Sequence, residues 1–133
     1  MRLTSAVVLA AVVAIGGTGF TTGASRADWT FLGQRQVSDR ADHDVITVTG
    51  AEGKFSAIQI RVLRAPVDFH RVQVHFRNGG KQEVELRNTI PAGGESRRID
   101  LEGDDRVIRS VEFWYDARTI RGRRAVVRLF GQP

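Results

Sequence analysis

The chemistry open to this 133-residue chain rests first on its three histidines, His43, His70 and His75. His43 lies between Asp42 and Asp44, so three potential metal ligands are consecutive. Neighbouring residues of an extended chain point to opposite sides, and the trio does not converge on one ion without a special turn. His70 and His75 are five positions apart and fall on opposite faces of a regular strand, although a bulge between them would realign them. The chain contains neither an HExxH pattern nor a calcium-loop pattern. These spacings assign no metal site and no cofactor, and the domain is expected to fold without a metal. Acid–base catalysis would need a positioned histidine and carboxylate, with His43 or His70 beside a nearby acid as the candidates. The acids that cluster in sequence, Asp42/Asp44 and Asp104-Asp105, sit in expected exposed turns, where Asp is favoured for turn geometry alone. No GxSxG element is present, and no serine stands in a recognisable nucleophile setting. No residue is therefore assigned a catalytic role, and a small secreted hydrolase using a His/carboxylate pair stands as the alternative reading.

Two further groups point to binding. In Phe113-Trp114-Tyr115, Phe113 and Tyr115 share a strand face with Val111, while Trp114 shares the other with Ser110 and Glu112. A tryptophan exposed on a sheet face can stack on a sugar ring; the plainer reading is a core residue or one covered by a loop or a second sheet. The segment 116–124 reads DARTIRGRR and carries Arg118, Arg121, Arg123 and Arg124 with no acid after Asp116. Guanidinium forks bind carboxylates and phosphates in pairs, so the matching partner is an anionic envelope polymer, a lipid head group or an acidic protein. The plainer reading pairs these arginines with Glu112, Asp116 or the acidic remainder of the domain, or has them merely keep it soluble.

The elements that must position these residues are strands. Period-two runs recur along the chain, whereas helical spacing over a useful length is absent. Strands are expected at Trp29 to Val37, Val45 to Thr49, Phe55 to Arg64, Val67 to Phe76 and Lys81 to Arg87. Ile99 and Leu101 mark a short one, and Val107 to Tyr115 and Arg124 to Phe130 complete the set. Val67 and Phe69 have the opposite parity to Val72, Val74 and Phe76, which places a bulge near His70-Arg71. Asn78-Gly79-Gly80 is a hairpin turn signal, and Gly50 to Gly53 reads as a second hairpin. Pro66 suits a sheet edge or a crossing. About eight short strands with turns every 8–12 residues describe an all-β, antiparallel β-sandwich of jelly-roll type.

The chain has 41% hydrophobic and 26% charged residues, the balance of a globular domain. The absence of cysteine excludes disulfides, Cys-ligated zinc, iron–sulfur clusters and a thiol nucleophile. Met1-Arg2, an apolar run from Ala6 to Ile15 and the small-residue end Ala24-Ser25-Arg26-Ala27 have the layout of a secretory signal peptide. Half the length of a membrane span, the run is too short to anchor the chain. Domain organisation is therefore a signal over residues 1–27 and a single β-sandwich over 28–133, with no later segment apolar enough to cross a membrane. Residues 28–116 carry 13 basic and 15 acidic side chains, and the positive excess lies wholly in 117–133. That modest excess does not reach the density of a nucleic-acid binder.

From Trp29 to Gly131 the chain resembles an uncharacterised family of small exported bacterial proteins. The resemblance rests on the signal, on Trp29 and Leu32-Gly33, on Arg106-Val107-Ile108 followed by Val111-Glu112-Phe113-Trp114-Tyr115, and on the final apolar strand Ala125 to Gly131. It implies an all-β fold and a periplasmic or secreted location, and no activity. The combined expectation is a non-enzymatic binding or envelope-associated accessory module, with a carbohydrate-binding module centred on Trp114 as a further alternative. Export should leave a mature chain whose intact mass corresponds to an N-terminal Asp28. Cleavage after Ala24 would give a heavier product, and full-length protein retained in the membrane fraction would refute processing.

Overall fold

The computed structural model describes residues 29–38, 42–49, 53–103, 105–117 and 121–133. The expected signal over residues 1–27, Arg118 and the 50–52 part of the expected second hairpin lie outside the described residues. The strands in order are β1 (Thr30–Gln36), β2 (His43–Thr47), β3 (Ala57–Leu63), β4 (Val67–Phe76), β5 (Lys81–Val84), β6 (Thr89–Ile90), β7 (Ile99–Asp100), β8 (Ile108–Ala117) and β9 (Val126–Gln132). They form two antiparallel sheets, one of order β1-β9-β3-β7 and one of order β2-β8-β4-β5, with β6 also pairing β4. The architecture is the expected all-β sandwich. It has nine strands among the described residues because Thr89-Ile90, read as loop, adds a short rung beside Val67 and Asp68.

Alternation explains the layering. The inner faces contribute Leu32, Ile58, Ile60, Phe69, Phe113 and Leu129 to one continuous core, each almost fully buried. Burying one such side chain stabilises the fold by about 1.5–3 kcal/mol, so this face decides the register of every strand. β4 would fail this test as a regular strand. Its register against β8 passes from Phe69↔Tyr115 to Arg71↔Trp114, so His70 is an extra residue and the expected bulge is present. Val67 and Phe69 before it, and Val72, Val74 and Phe76 after it, all reach the core. The turn after β4 also forms as expected, with Gly79 at φ 94°. Asn78 works differently: its side-chain Oδ1 accepts from the Gly80 N–H at 2.9 Å.

The second expected hairpin does not form. β2 belongs to the five-stranded sheet and β3 to the four-stranded one, so the chain between them crosses from one sheet to the other. Turn residues mark a reversal of direction but not which sheet receives the next strand, and β3 finds β9 and β7 instead of β2. Pro66 likewise lies in a crossing, between β3 and β4.

One edge of the sandwich is closed where β1 meets β2. A Cβ on Gly33 would stand 2.8 Å from the Thr47 carbonyl oxygen and 2.9 Å from Ile46 Cγ2, so only glycine admits this approach. Beside it, the Arg35 Nε donates to Asp44 Oδ1 at 2.9 Å, and the Tyr115 hydroxyl donates to Asp44 Oδ2 at 2.7 Å. Burial, reinforced by the Asp44 carboxylate, pushes the Tyr115 phenol well above its ordinary range. The Tyr115→Phe substitution removes one bond to a half-buried carboxylate that keeps its arginine. It should cost about 1–2 kcal/mol and lower the melting temperature by roughly 5–15 °C. Arg35→Gln, at an exposed side chain, should cost less; thermal melts of both variants check the order.

Candidate functional site

The outer face of the five-stranded sheet collects the polar residues that the inner face excludes. Register sets them in cross-strand rows. His43 of β2 lies beside Trp114 of β8, which lies beside Arg71 of β4. The next row runs Val45, Glu112, Gln73 and Glu83, and the third Thr47, Ser110, His75 and Lys81. Adjacent strands are about 4.8 Å apart, so neighbours within a row touch.

Glu112 is the hub. Its Oε1 accepts from His75 Nε2 at 2.9 Å, and its Oε2 accepts a short hydrogen bond from His43 Nε2. The bond from His75, then that from His43, hold the Glu112 carboxyl below the usual carboxylate range, against a smaller opposing effect of burial. In the first row the Arg71 guanidinium lies over the Trp114 indole at 4.4 Å, and the His43 ring is 4.9 Å from it. Arg71 also forks onto Glu83, with Nε to Oε2 at 2.6 Å and Nη2 to Oε1 at 3.0 Å. Gln73 Nε2 donates to the same Glu83 oxygen at 3.2 Å. The Glu83 carboxyl is lowered and the Arg71 guanidinium raised, each chiefly by this shared bond.

The structure thus joins residues that the sequence left apart. His43 and His75 meet on one carboxylate although 32 positions separate them. Glu112, Gln73, Arg71 and Glu83 were not singled out as site residues. Their alternating parity was visible, but strand order decides which of them meet. The bulge leaves His70 outward with His75, and His70 makes its own pair with Asp116 Oδ2 at 3.0 Å. Asp44 turns the opposite way, to Tyr115 and Arg35, so Asp42, His43 and Asp44 do not converge.

The remaining candidates are Trp114 and the arginines. Trp114 is neither core nor covered by the second sheet. It is half-buried on the outer face, flanked from β2 and β4 by His43 and Arg71. Arg121, Arg123 and Arg124 are exposed and take no carboxylate partner among the described residues. Glu112 and Asp116, the acids expected to neutralise them, are bound to histidines.

Chemically, the face offers fixed donors and acceptors around one aromatic ring. No serine or threonine hydroxyl is hydrogen-bonded to a histidine among the described residues. The depressed Glu112 carboxyl stabilises the fold above the ordinary glutamate range, and the contribution is lost as pH falls through the depressed value. The melting-temperature advantage of wild type over Glu112→Gln should therefore be present above about pH 5 and shrink below about pH 4. A difference that stays constant from neutral pH to the onset of acid unfolding would contradict the pairing.

No helix among the described residues is long and apolar enough to cross a membrane. No curated protein matches the chain. Among solved structures, it is similar to one described as the structural and functional characterisation of Pseudomonas aeruginosa AlgX, with a TM-score of 0.51 and 9% identity. That likeness covers 92% of this chain and 35% of the other, so the chain spans about a third of that protein's length and shares its fold over that part. A structure of infectious bursal disease virus, Gx strain, aligns at a TM-score of 0.33 and 11% identity, over 77% of this chain and 30% of that one. Residues 6–131 match the family described as a domain of unknown function (DUF2541), and the chain belongs to that family.

Proposed function

We propose that the protein is an exported, non-enzymatic binding module of the bacterial envelope, periplasmic or secreted. Its recognition surface is the outer face of the five-stranded sheet, and its ligand is a hydroxyl-rich polymer, a polysaccharide. The observation that carries this reading is the set of interlocked polar rows around Trp114. Each sugar hydroxyl needs both a donor and an acceptor, and Arg71, Gln73, Glu83, His43, Glu112 and His75 offer both at strand spacing. Because every one of these groups is already held by a neighbour, little ordering remains to be done on binding. An open sheet face suits a length of polymer better than a small molecule, which a protein surrounds. Hydrolysis by a His/carboxylate pair is the less supported reading: the His43 and His75 pairs lie on an open face, and His70, which pairs with Asp116 beside a cleft, has no serine or threonine hydroxyl bonded to it among the described residues.

The exposed arginines 121, 123 and 124 extend the reading to acidic polymers. They follow β8 beyond Ala117, at the end of the strand where Asp116 and Trp114 lie. Their attraction for an anion is long-ranged and screened by salt.

Affinity electrophoresis through gels containing neutral or acidic polysaccharides tests both parts. Wild type should be retarded, and Trp114→Ala should abolish retardation without changing the melting temperature by more than a few degrees. Replacing Arg121, Arg123 and Arg124 with Gln should weaken binding to acidic polymers only, most visibly at about 0.01 M salt, where the Debye length is about 30 Å. Equal migration of wild type and Trp114→Ala in every gel would remove the platform. Adsorption to anionic vesicles with no retardation by any polymer would replace the polysaccharide with a lipid surface.

A further inference from the structure

The end of the five-stranded sheet beyond Trp114 carries a cluster that the binding face does not use. Asp68 of β4 lies directly opposite Asp116 of β8 in the strand register. His70, two residues after Asp68 and itself the extra residue of the bulge, turns to the same side, where its Nε2 reaches Asp116 Oδ2. One ligand atom from each of Asp68, His70 and Asp116 can be chosen so that all three lie within 4.8 Å of one another. Among the described residues this is the only such group of three. The His43–Glu112–His75 trio does not meet the same condition.

Three observations give the cluster a direction. Two carboxylates set opposite each other on neighbouring strands repel, yet neither takes a lysine or arginine partner among the described residues. The bonds they do make are to Thr89, whose Oγ1 donates to Asp68 Oδ1 at 3.1 Å, and to His70. Second, the imidazole supplies a nitrogen donor, which two carboxylates alone would lack. Third, the cluster opens onto a cleft of about 470 Å³ lined by Pro66, Asp68, Thr89, Asp116 and Ala117. Space on that side leaves coordination positions for water or for a ligand, the arrangement of a three-ligand open site.

We propose that Asp68, His70 and Asp116 bind one divalent transition-metal ion, with its remaining coordination positions facing the cleft. The donor set of two carboxylate oxygens and one imidazole nitrogen suits zinc or manganese, whereas calcium takes oxygen ligands throughout. Two carboxylates and a neutral imidazole carry a charge that a divalent ion cancels, which relieves the Asp68/Asp116 repulsion. Thr89 acts outside the metal's ligand set, orienting Asp68 through the bond it donates. The spacing of the histidines alone assigned no metal; the proposed site draws on two aspartates that were not weighed beside His70.

The test uses the purified protein after removal of adventitious metal with a chelator. Mn²⁺ is titrated and followed by the electron paramagnetic resonance signal of the free ion, and Zn²⁺ by competition with a chromogenic chelator. One saturable equivalent is expected. Loss of an outer-shell partner alone costs about 10–100-fold in metal affinity, so Asp116→Asn and His70→Gln should each weaken binding at least about tenfold. Replacing His43 and His75 together with Gln should leave binding unchanged. Should the aspartate variants fold poorly, Mn²⁺-induced broadening of the wild-type amide spectrum gives the location directly, and it should centre on residues 68–70 and 116. Absence of saturable binding, unchanged affinity in folded Asp116→Asn and His70→Gln, or broadening centred on His43 and His75 would each overturn the site.

Discussion

A single inserted residue in β4 governs the rest of the molecule. The side-chain period of a strand is two, and a ten-residue strand crossing the whole sheet must keep its apolar positions on one side throughout. β4 changes parity between Phe69 and Val72, and the bulge at His70 absorbs the change. Without it, either Val67 and Phe69 or Val72, Val74 and Phe76 would face solvent. With it, both groups enter the core, and Asp68, His70, Arg71, Gln73 and His75 are delivered together to the outer face. The same local irregularity that preserves packing therefore concentrates the titratable groups of β4 on one surface, opposite Glu112, Trp114 and Asp116 of β8.

That surface is organised by sharing of partners. Glu112 serves two histidines, Glu83 serves Arg71 and Gln73, and Arg71 both forks onto Glu83 and covers Trp114. Exposed ion pairs taken singly contribute little, but groups that hold one another lose little freedom when a ligand arrives. The inner side of the same sheet behaves differently. There the polar bonds are few and tie strands across the edge, as Arg35, Asp44 and Tyr115 do between β1 and β2. Gly33 sets the distance over which that tie can form.

Much of this was legible before the fold was known. Alternation located the strands, the Asn78-Gly79-Gly80 signal located one hairpin, and the parity change located the bulge, because each depends on neighbours within a few residues. Trp114 was placed on the correct face by the same rule. What the chain did not disclose is strand order. Gly50 to Gly53 has turn residues whether the next strand pairs with β2 or crosses to the other sheet, and here it crosses. The meeting of His43 and His75 on Glu112 requires the order β2-β8-β4, set by contacts between distant parts of the chain. The Asp68–His70–Asp116 cluster has the same origin: Asp68 and His70 are adjacent on one face, but Asp116 arrives from a strand 46 residues past His70. Arg118 and the export signal lie outside the described residues and stand as sequence readings.

The place of β9 has a consequence for how the domain comes into being. β9 lies between β1 and β3, pairing the whole length of each. Until residues 126–132 are available, β1 and β3 have no common neighbour, and the four-stranded sheet consists of separated edges. Pairings such as β1 with β9 and β2 with β8 join chain segments far apart, so loop closure must precede any gain in contacts, and folding of such topologies is slow. A nascent chain thus passes through a long interval in which its N-terminal strands are extended and unpaired. Under the export proposed above, that delay would keep the chain in an unfolded state that can be carried across a membrane; in a chain held back, the same interval exposes unpaired strand edges to aggregation.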